Sequence, residues 1–339
     1  MRAGRIVATL IVTAITWACP PSATLAWTSA DHLEMTTDTT TATAGVSFQV
    51  TVTARDSNGN VDAAFAGTIH FTTSAVWPGY VLPPDSELVG GEGTFSVTLT
   101  RAFVSTDITA SDAADSLSTT VQIMVANGPA DHFAFFDKGR PINAGVGAEF
   151  FVSVRDRYDN GCPDYAGTVH FTSSDTSPGV VLPADSRVYT GGPQIFGFIL
   201  DKAGPQTITA TDVASPQVTG TYAFYVHPGD VKTIRIDAPA TVTTTKPFDI
   251  VVTLFDAFGN VVTDGMFANY PRQIHFTSSD LLATLPPDYT FTSADRGSRT
   301  FSGVVLVTPG AQTIGARDVA RPTVAGSTTV TVTLPLLGL

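Results

Sequence analysis

Phe48-Gln49-Val50-Thr51-Val52-Thr53-Ala54-Arg55-Asp56-Ser57-Asn58-Gly59-Asn60 reads as a strand running into a tight turn. Phe48, Val50, Val52 and Ala54 alternate with Gln49, Thr51, Thr53 and Arg55, the period-two pattern of a strand with one buried face. Gly and Asn then supply the positive φ that a turn needs and β-branched residues resist. The same pair returns twice. Phe150 to Val154 precedes Asp156-Arg157-Tyr158-Asp159-Asn160-Gly161, and Phe248 to Leu254 precedes Asp256-Ala257-Phe258-Gly259-Asn260. A second block recurs as Thr68-Ile69-His70-Phe71-Thr72, Thr168-Val169-His170-Phe171-Thr172 and Gln273-Ile274-His275-Phe276-Thr277, and a third ends at Asp112, Asp212 and Asp318. A period of about 100 residues lets each unit bury its own core, so it predicts tandem domains rather than stacked solenoid turns.

Outward from these blocks, each unit shows a loop ending in Leu82-Pro83, Leu182-Pro183 or Leu285-Pro286, where Pro stops ladder pairing. In the first unit, later strands centre on Phe95, Val97 and Leu99, on Ile108 and Ala110, and on Val121, Ile123 and Val125. With a first strand near Leu33, about seven short strands per unit predict an all-β protein of three tandem immunoglobulin-like β-sandwich domains. The expected boundaries are 27–127, 128–228 and 229–339. The junctions Ala126-Asn127-Gly128-Pro129-Ala130-Asp131 and His227-Pro228-Gly229-Asp230 are short and stiffened by Pro, which predicts a semi-rigid rod.

Residues 1–26 read as an export signal: Arg2 and Arg5 precede an apolar run from Ile6 to Ala18 that is too short to span a bilayer, with cleavage expected after Ala26. No later stretch is long and apolar enough for a membrane span, so the mature chain is expected to be secreted or held at the cell surface. Trp17 sits where a lipobox needs a small residue, which argues against lipidation of Cys19. Cys162 then remains alone and closes no internal disulfide, leaving the sandwiches to their cores. Loss of Arg2 and Arg5 takes the 18 basic residues to 16 against 30 acidic ones, a formal net charge of −14. That sign disfavours nucleic acid and anionic membranes as partners. Glu34, Glu87, Glu92 and Glu149 are the whole complement of Glu, and an acid set made almost wholly of Asp suits turns rather than helices.

Gly167-Thr168-Val169-His170-Phe171-Thr172-Ser173-Ser174-Asp175, Val181-Leu182-Pro183-Ala184-Asp185 and Ala203-Gly204-Pro205-Gln206-Thr207-Ile208-Thr209-Ala210-Thr211-Asp212 resemble the tandem bacterial immunoglobulin-like repeats of exported surface proteins. They are more loosely similar to invasin-type and filamin-type domains. The resemblance covers all three units. It implies a bacterial surface location and says little about activity, since such modules serve as spacers, adhesive arms and accessory domains alike.

Chemistry is sparse. Ile69 and Phe71 flank His70, so a core-facing pair turns His70 to the opposite sheet face, where a polar cross-strand contact is expected rather than a metal. Asp56, Asn58 and Asn60 have the alternating spacing of calcium ligands, yet no downstream Glu completes an EF-hand, and turn capping explains them more simply. No nucleophile elbow, zincin motif or phosphate loop is present, so no catalytic residue is assigned and no enzyme activity is expected. Binding should lie where the repeats disagree: Trp77 and Tyr80 in one loop, and Met266, Phe267 and Tyr270 in an insertion of the third unit. The expected function is that of a non-enzymatic structural or adhesive surface protein, its partners a host or envelope protein or a polysaccharide. The alternatives are a carbohydrate-binding accessory module of an extracellular hydrolase system and a mechanical spacer of a larger surface protein.

Overall fold

The computed structural model describes residues 29–75, 79–187, 193–263 and 272–335. The expected export signal, Cys19 and the last four residues lie outside them. The described chain is all-β, relieved by one short 3-10 turn at Ser293–Asp295. It forms two compact units. One holds the described residues up to Ala42 with 47–99 and 105–124; the other holds 43–46, 100–104 and everything from Val125 onward.

In the first repeat, a three-stranded sheet runs His32–Thr37, Ser47–Arg55, Glu92–Thr98. A five-stranded sheet runs Thr41–Thr43, Leu117–Ala126, Ser105–Asp112, Thr68–Thr73, Ser86–Glu87. The third repeat reproduces this with Thr233–Asp237, Phe248–Phe255, Ser298–Val304 and with Thr241–Thr243, Ala325–Thr333, Gly310–Asp318, Arg272–Ser278, Tyr289–Phe291. In the second repeat a parallel pairing of Thr219 with His132 joins the corresponding strands into one eight-stranded sheet.

Each repeat therefore has eight strands where about seven were expected, because the first splits between sheets. Thr233–Asp237 pairs antiparallel with Phe248–Phe255; after Pro239, which has no N–H to extend the ladder, Thr241–Thr243 pairs parallel with Ala325–Thr333. This switch leaves two sheets face to face over one core. In the third repeat that core includes Ile236, Ile250, Val252, Leu254, Ile274, Phe276 and Ile314; in the second, Phe150, Val152, Val169, Phe171, Phe198 and Ile208. Inward and outward residues alternate as read at Val50, Val52 and Ala54, which are fully buried, and at Gln49, which is exposed, and Thr51, which is partly so; Thr53, expected to face outward, is instead buried, because it lies in the middle strand between Glu34 and Glu92. Cys162 is a free, half-buried thiol.

Candidate functional site

The turn after the second long strand of each repeat does more than reverse the chain. Asp256 closes Phe248–Phe255, and its Oδ1 accepts the N–H groups of Phe258 and Asn260, both at 2.9 Å. Oδ2 accepts the Asn260 side-chain amide at 2.8 Å and the N–H of Gly229, in the junction, at 2.9 Å. The carboxylate thereby fixes Asn260, whose Nδ2 also donates to the carbonyl of Asp201 at 2.7 Å and whose Oδ1 accepts the N–H of Ala203 at 2.9 Å. Asp201 and Ala203 belong to the second repeat, so one side chain ties the two repeats at backbone level. Beside it, a Cβ built on Gly145, which has φ +73°, would run into the Phe258 ring. Only glycine serves there, for its conformation and for the space the ring takes.

The same set recurs on segments 43–46 and 100–104, which belong to the same compact unit. Asp156 accepts Tyr158 N–H, Asn160 N–H and the Asn160 amide at 2.9 Å each, and Gly128 N–H at 2.8 Å. Asn160 donates to the Thr100 carbonyl at 2.7 Å and accepts from Ala102 N–H at 2.9 Å, while the Tyr158 ring covers Gly45. Asp159 takes the left-handed conformation (φ 63°) that Gly59 and Gly259 hold in the other turns. Burial pushes the Asp156 carboxyl up, but the Asn160 amide and the Gly128, Asn160 and Tyr158 N–H groups outweigh it and hold the group below the usual carboxylate range.

In the first repeat Asp56 Oδ1 accepts Asn58 N–H and Asn60 N–H at 2.9 Å, and the Asn60 amide lies 3.3 Å from Oδ2. Asp56, Asn58 and Asn60, whose spacing resembles that of calcium ligands, form a self-capped turn.

The histidines point away from the core, as the alternation requires. His70, His170 and His275 each place Nδ1 2.7 Å from a carboxylate, of Asp85, Asp185 and Asp288 respectively. The sequence signal that was missed is the Asp three residues after each Leu-Pro leucine. These pairs are exposed, and such ion pairs contribute only about 0–1 kcal/mol each.

The third recurring carboxylate ends a strand and caps the next turn: Asp112 Oδ1 accepts Ala114 and Asp115 N–H, and Asp212 Oδ1 accepts Ala214 and Ser215 N–H. The other oxygen is handled differently in each repeat. Tyr165 donates its hydroxyl to Asp212, Arg272 reaches Asp318, and in the first repeat the position of Tyr165 is Phe65, leaving Asp112 Oδ2 buried with no partner among the described residues. Phe65→Tyr is expected to stabilise the first repeat by about 1 kcal/mol, the net worth of a hydrogen bond to a buried acceptor; an unchanged or lowered unfolding midpoint would contradict it.

Of the loop residues expected to bind, Trp77, Met266, Phe267 and Tyr270 lie outside the described residues. Tyr80 is exposed. A pair not anticipated from the sequence is Leu281 and Leu282, 95% and 67% exposed, where the second repeat has Thr176 and Ser177. Their loop is pinned by Asp280, which accepts Leu282, Val307 and Thr308 N–H and the Thr308 hydroxyl. Burial raises the Asp280 pKa, but these donors overcome it and pull it to about 2. Because the folded value is depressed, its stabilisation is complete above the ordinary carboxylate range, about pH 4, and disappears as pH falls towards 2. The Thr308 amide resonance should titrate near pH 2, and Asp280→Asn should abolish that step; a midpoint near 4 would contradict the geometry.

No family model matches the chain. Solved structures similar to it include FdeC, an Escherichia coli adhesin, at 15% identity over 90% of this chain and 98% of that one, with a TM-score of 0.36. Invasin, a bacterial integrin-binding protein, matches at 15% identity over 89% of this chain and 60% of its own, with a TM-score of 0.36. InvD of Yersinia pseudotuberculosis matches at 14% identity over 88% and 97%, with a TM-score of 0.34.

Proposed function

We propose that this chain is a non-enzymatic exported surface protein, structural or adhesive, whose immunoglobulin-like domains 27–127, 128–228 and 229–339 follow one another in series along the chain, the second and third stiffly joined, and present loops to a partner. The observation that carries this reading is the side-chain clasp of Asn260, with Asp256 behind it and Phe258 beside it. Domains on a flexible tether reorient freely; here two side-chain-to-backbone hydrogen bonds, each worth about 1 kcal/mol, and a ring packed on glycine oppose bending at a junction of four residues containing Pro. A stiff connection is of use to a protein that spaces or presents a surface. The apolar residues offered for contact are Trp77 and Tyr80, Met266, Phe267 and Tyr270, and Leu281 and Leu282.

Binding of residues 27–339 to polysaccharides, matrix proteins and bacterial envelopes tests the adhesive form, alongside Trp77→Ala and Leu281→Ser/Leu282→Ser. Saturable binding to a protein or envelope that one of these variants abolishes supports an adhesive arm. Binding confined to polysaccharide moves the reading to a carbohydrate-binding module, and no binding by folded protein leaves the structural role. Turnover of any panel member overturns the non-enzymatic reading.

A further inference from the structure

The clasp has two sides, and the third repeat lacks one of them. The receiving side in the second repeat consists of Gly145, which makes room for the incoming ring, Val146, which lines one cleft with Phe258, and Ala203, whose N–H meets Asn260. Gly45, Val46 and Ala102 are the corresponding set in the first repeat. In the third repeat the positions carry Thr245, Lys246 and Pro309.

The backbone correspondence is close. Gly145 N–H donates to the Leu200 carbonyl at 2.8 Å and Thr245 N–H to the Leu306 carbonyl at 2.9 Å. Val146 N–H donates to Asn143 O at 3.1 Å and Lys246 N–H to Thr243 O at 3.2 Å. Thr245 even keeps the left-handed conformation, at φ 63°, which residues other than glycine rarely adopt. The turn is preserved and its docking chemistry is not: Thr245 brings the Cβ that collides with a ring, Lys246 replaces an apolar contact with a charge, and Pro309 removes the N–H. On the other side of the clasp, Tyr158 and Phe258 supply the ring, and the first repeat has Asn58 at that position. Ring and glycine thus occur as partners, Tyr158 with Gly45 and Phe258 with Gly145.

We infer that Thr245, Lys246 and Pro309 make the far surface of the third repeat a cap that refuses a further repeat of this kind, whether from this chain or a second copy. The inference rests on the serial array proposed above.

The test grafts the cap one repeat earlier. In the full chain with Cys19 and Cys162 changed to Ala, spin labels at Thr172→Cys and Thr277→Cys report the distance between the second and third repeats. The native junction should give a narrow distribution, and Gly145→Thr/Val146→Lys/Ala203→Pro should broaden it at least twofold. A broad native distribution sinks the array reading itself; a narrow one that the graft leaves narrow sinks only the cap. Because the graft alters the second repeat itself, the converse is measured too: residues 228–333 are duplicated after Thr333, with labels in the two copies. Thr245→Gly/Lys246→Val/Pro309→Ala in the inner copy should narrow a distribution that is broad on the native surface. An appended repeat held equally narrowly without those changes overturns the cap.

Discussion

Asp156→Ala is expected to destabilise the second repeat by about 3–5 kcal/mol, since it strips a fully buried carboxylate from four donors, the N–H groups of Tyr158, Asn160 and Gly128 and the Asn160 amide. Each buried donor left unpaired costs about 1–3 kcal/mol, and bonds to a charged acceptor are the stronger kind. Asn160 itself is buried, so it cannot turn to water for a replacement. Asn160→Ala should cost less, about 1–2 kcal/mol, because Asp156 keeps its backbone donors. The folded pKa is depressed, so the contribution of Asp156 is present above the ordinary carboxylate range and fades as pH falls through the lower folded value. The penalty of the Ala variant should therefore shrink in acid. Hydrogen exchange resolved by repeat is the suitable probe, because a multi-repeat chain need not unfold in one step. A loss below about 1 kcal/mol at neutral pH would show that the turn holds without its carboxylate.

Arg272→Met is expected to cost the third repeat about 3–5 kcal/mol. The Arg272 and Asp318 side chains are 5% and 1% exposed and meet at 3.1 Å. Removing one partner of a buried pair leaves the other charge uncompensated, which costs more than the pair itself contributes. The corresponding residues in the other repeats are Gly67 and Gly167, so the fold does not need an arginine at this position; in the third repeat its guanidinium is committed to Asp318. Asp318 still caps Ala320 and Arg321 through its other oxygen. Arg321→Ala is the internal control: its pair with Asp230 is exposed and 3.4 Å long, and its loss should cost less than about 1 kcal/mol. Equal losses in the two variants, read from thermal unfolding of the third repeat, would contradict the assignment.

The strands were legible because alternation in Phe48–Arg55 and its copies is dictated by one buried face, and the same logic placed His70 outward. The split first strand was not, since Pro141 and Pro239 look like ordinary loop residues until the parallel pairing with the last strand is seen. The turn Asp was read correctly as a cap. Its partner Asn260 acts on a carbonyl and an N–H some 57–59 residues earlier, and backbone groups leave no mark on a sequence. The available clue was that Asn60, Asn160 and Asn260 persist while Ser57, Arg157 and Ala257 do not. Arg272 in a glycine position, and Leu281-Leu282 in place of Thr176-Ser177, are likewise visible on comparing the repeats.

The most direct measurement of the central claim is the exchange rate of the Ala203 amide hydrogen in the full chain and in Asn260→Ala. Asn260 Oδ1 is the acceptor of that hydrogen. Protection in the native chain, lost in the variant while the amides of Ile208 and Leu254 keep theirs, is the predicted result. An Ala203 amide that exchanges freely in the native chain, or stays protected without Asn260, would mean that this side chain does not join the repeats.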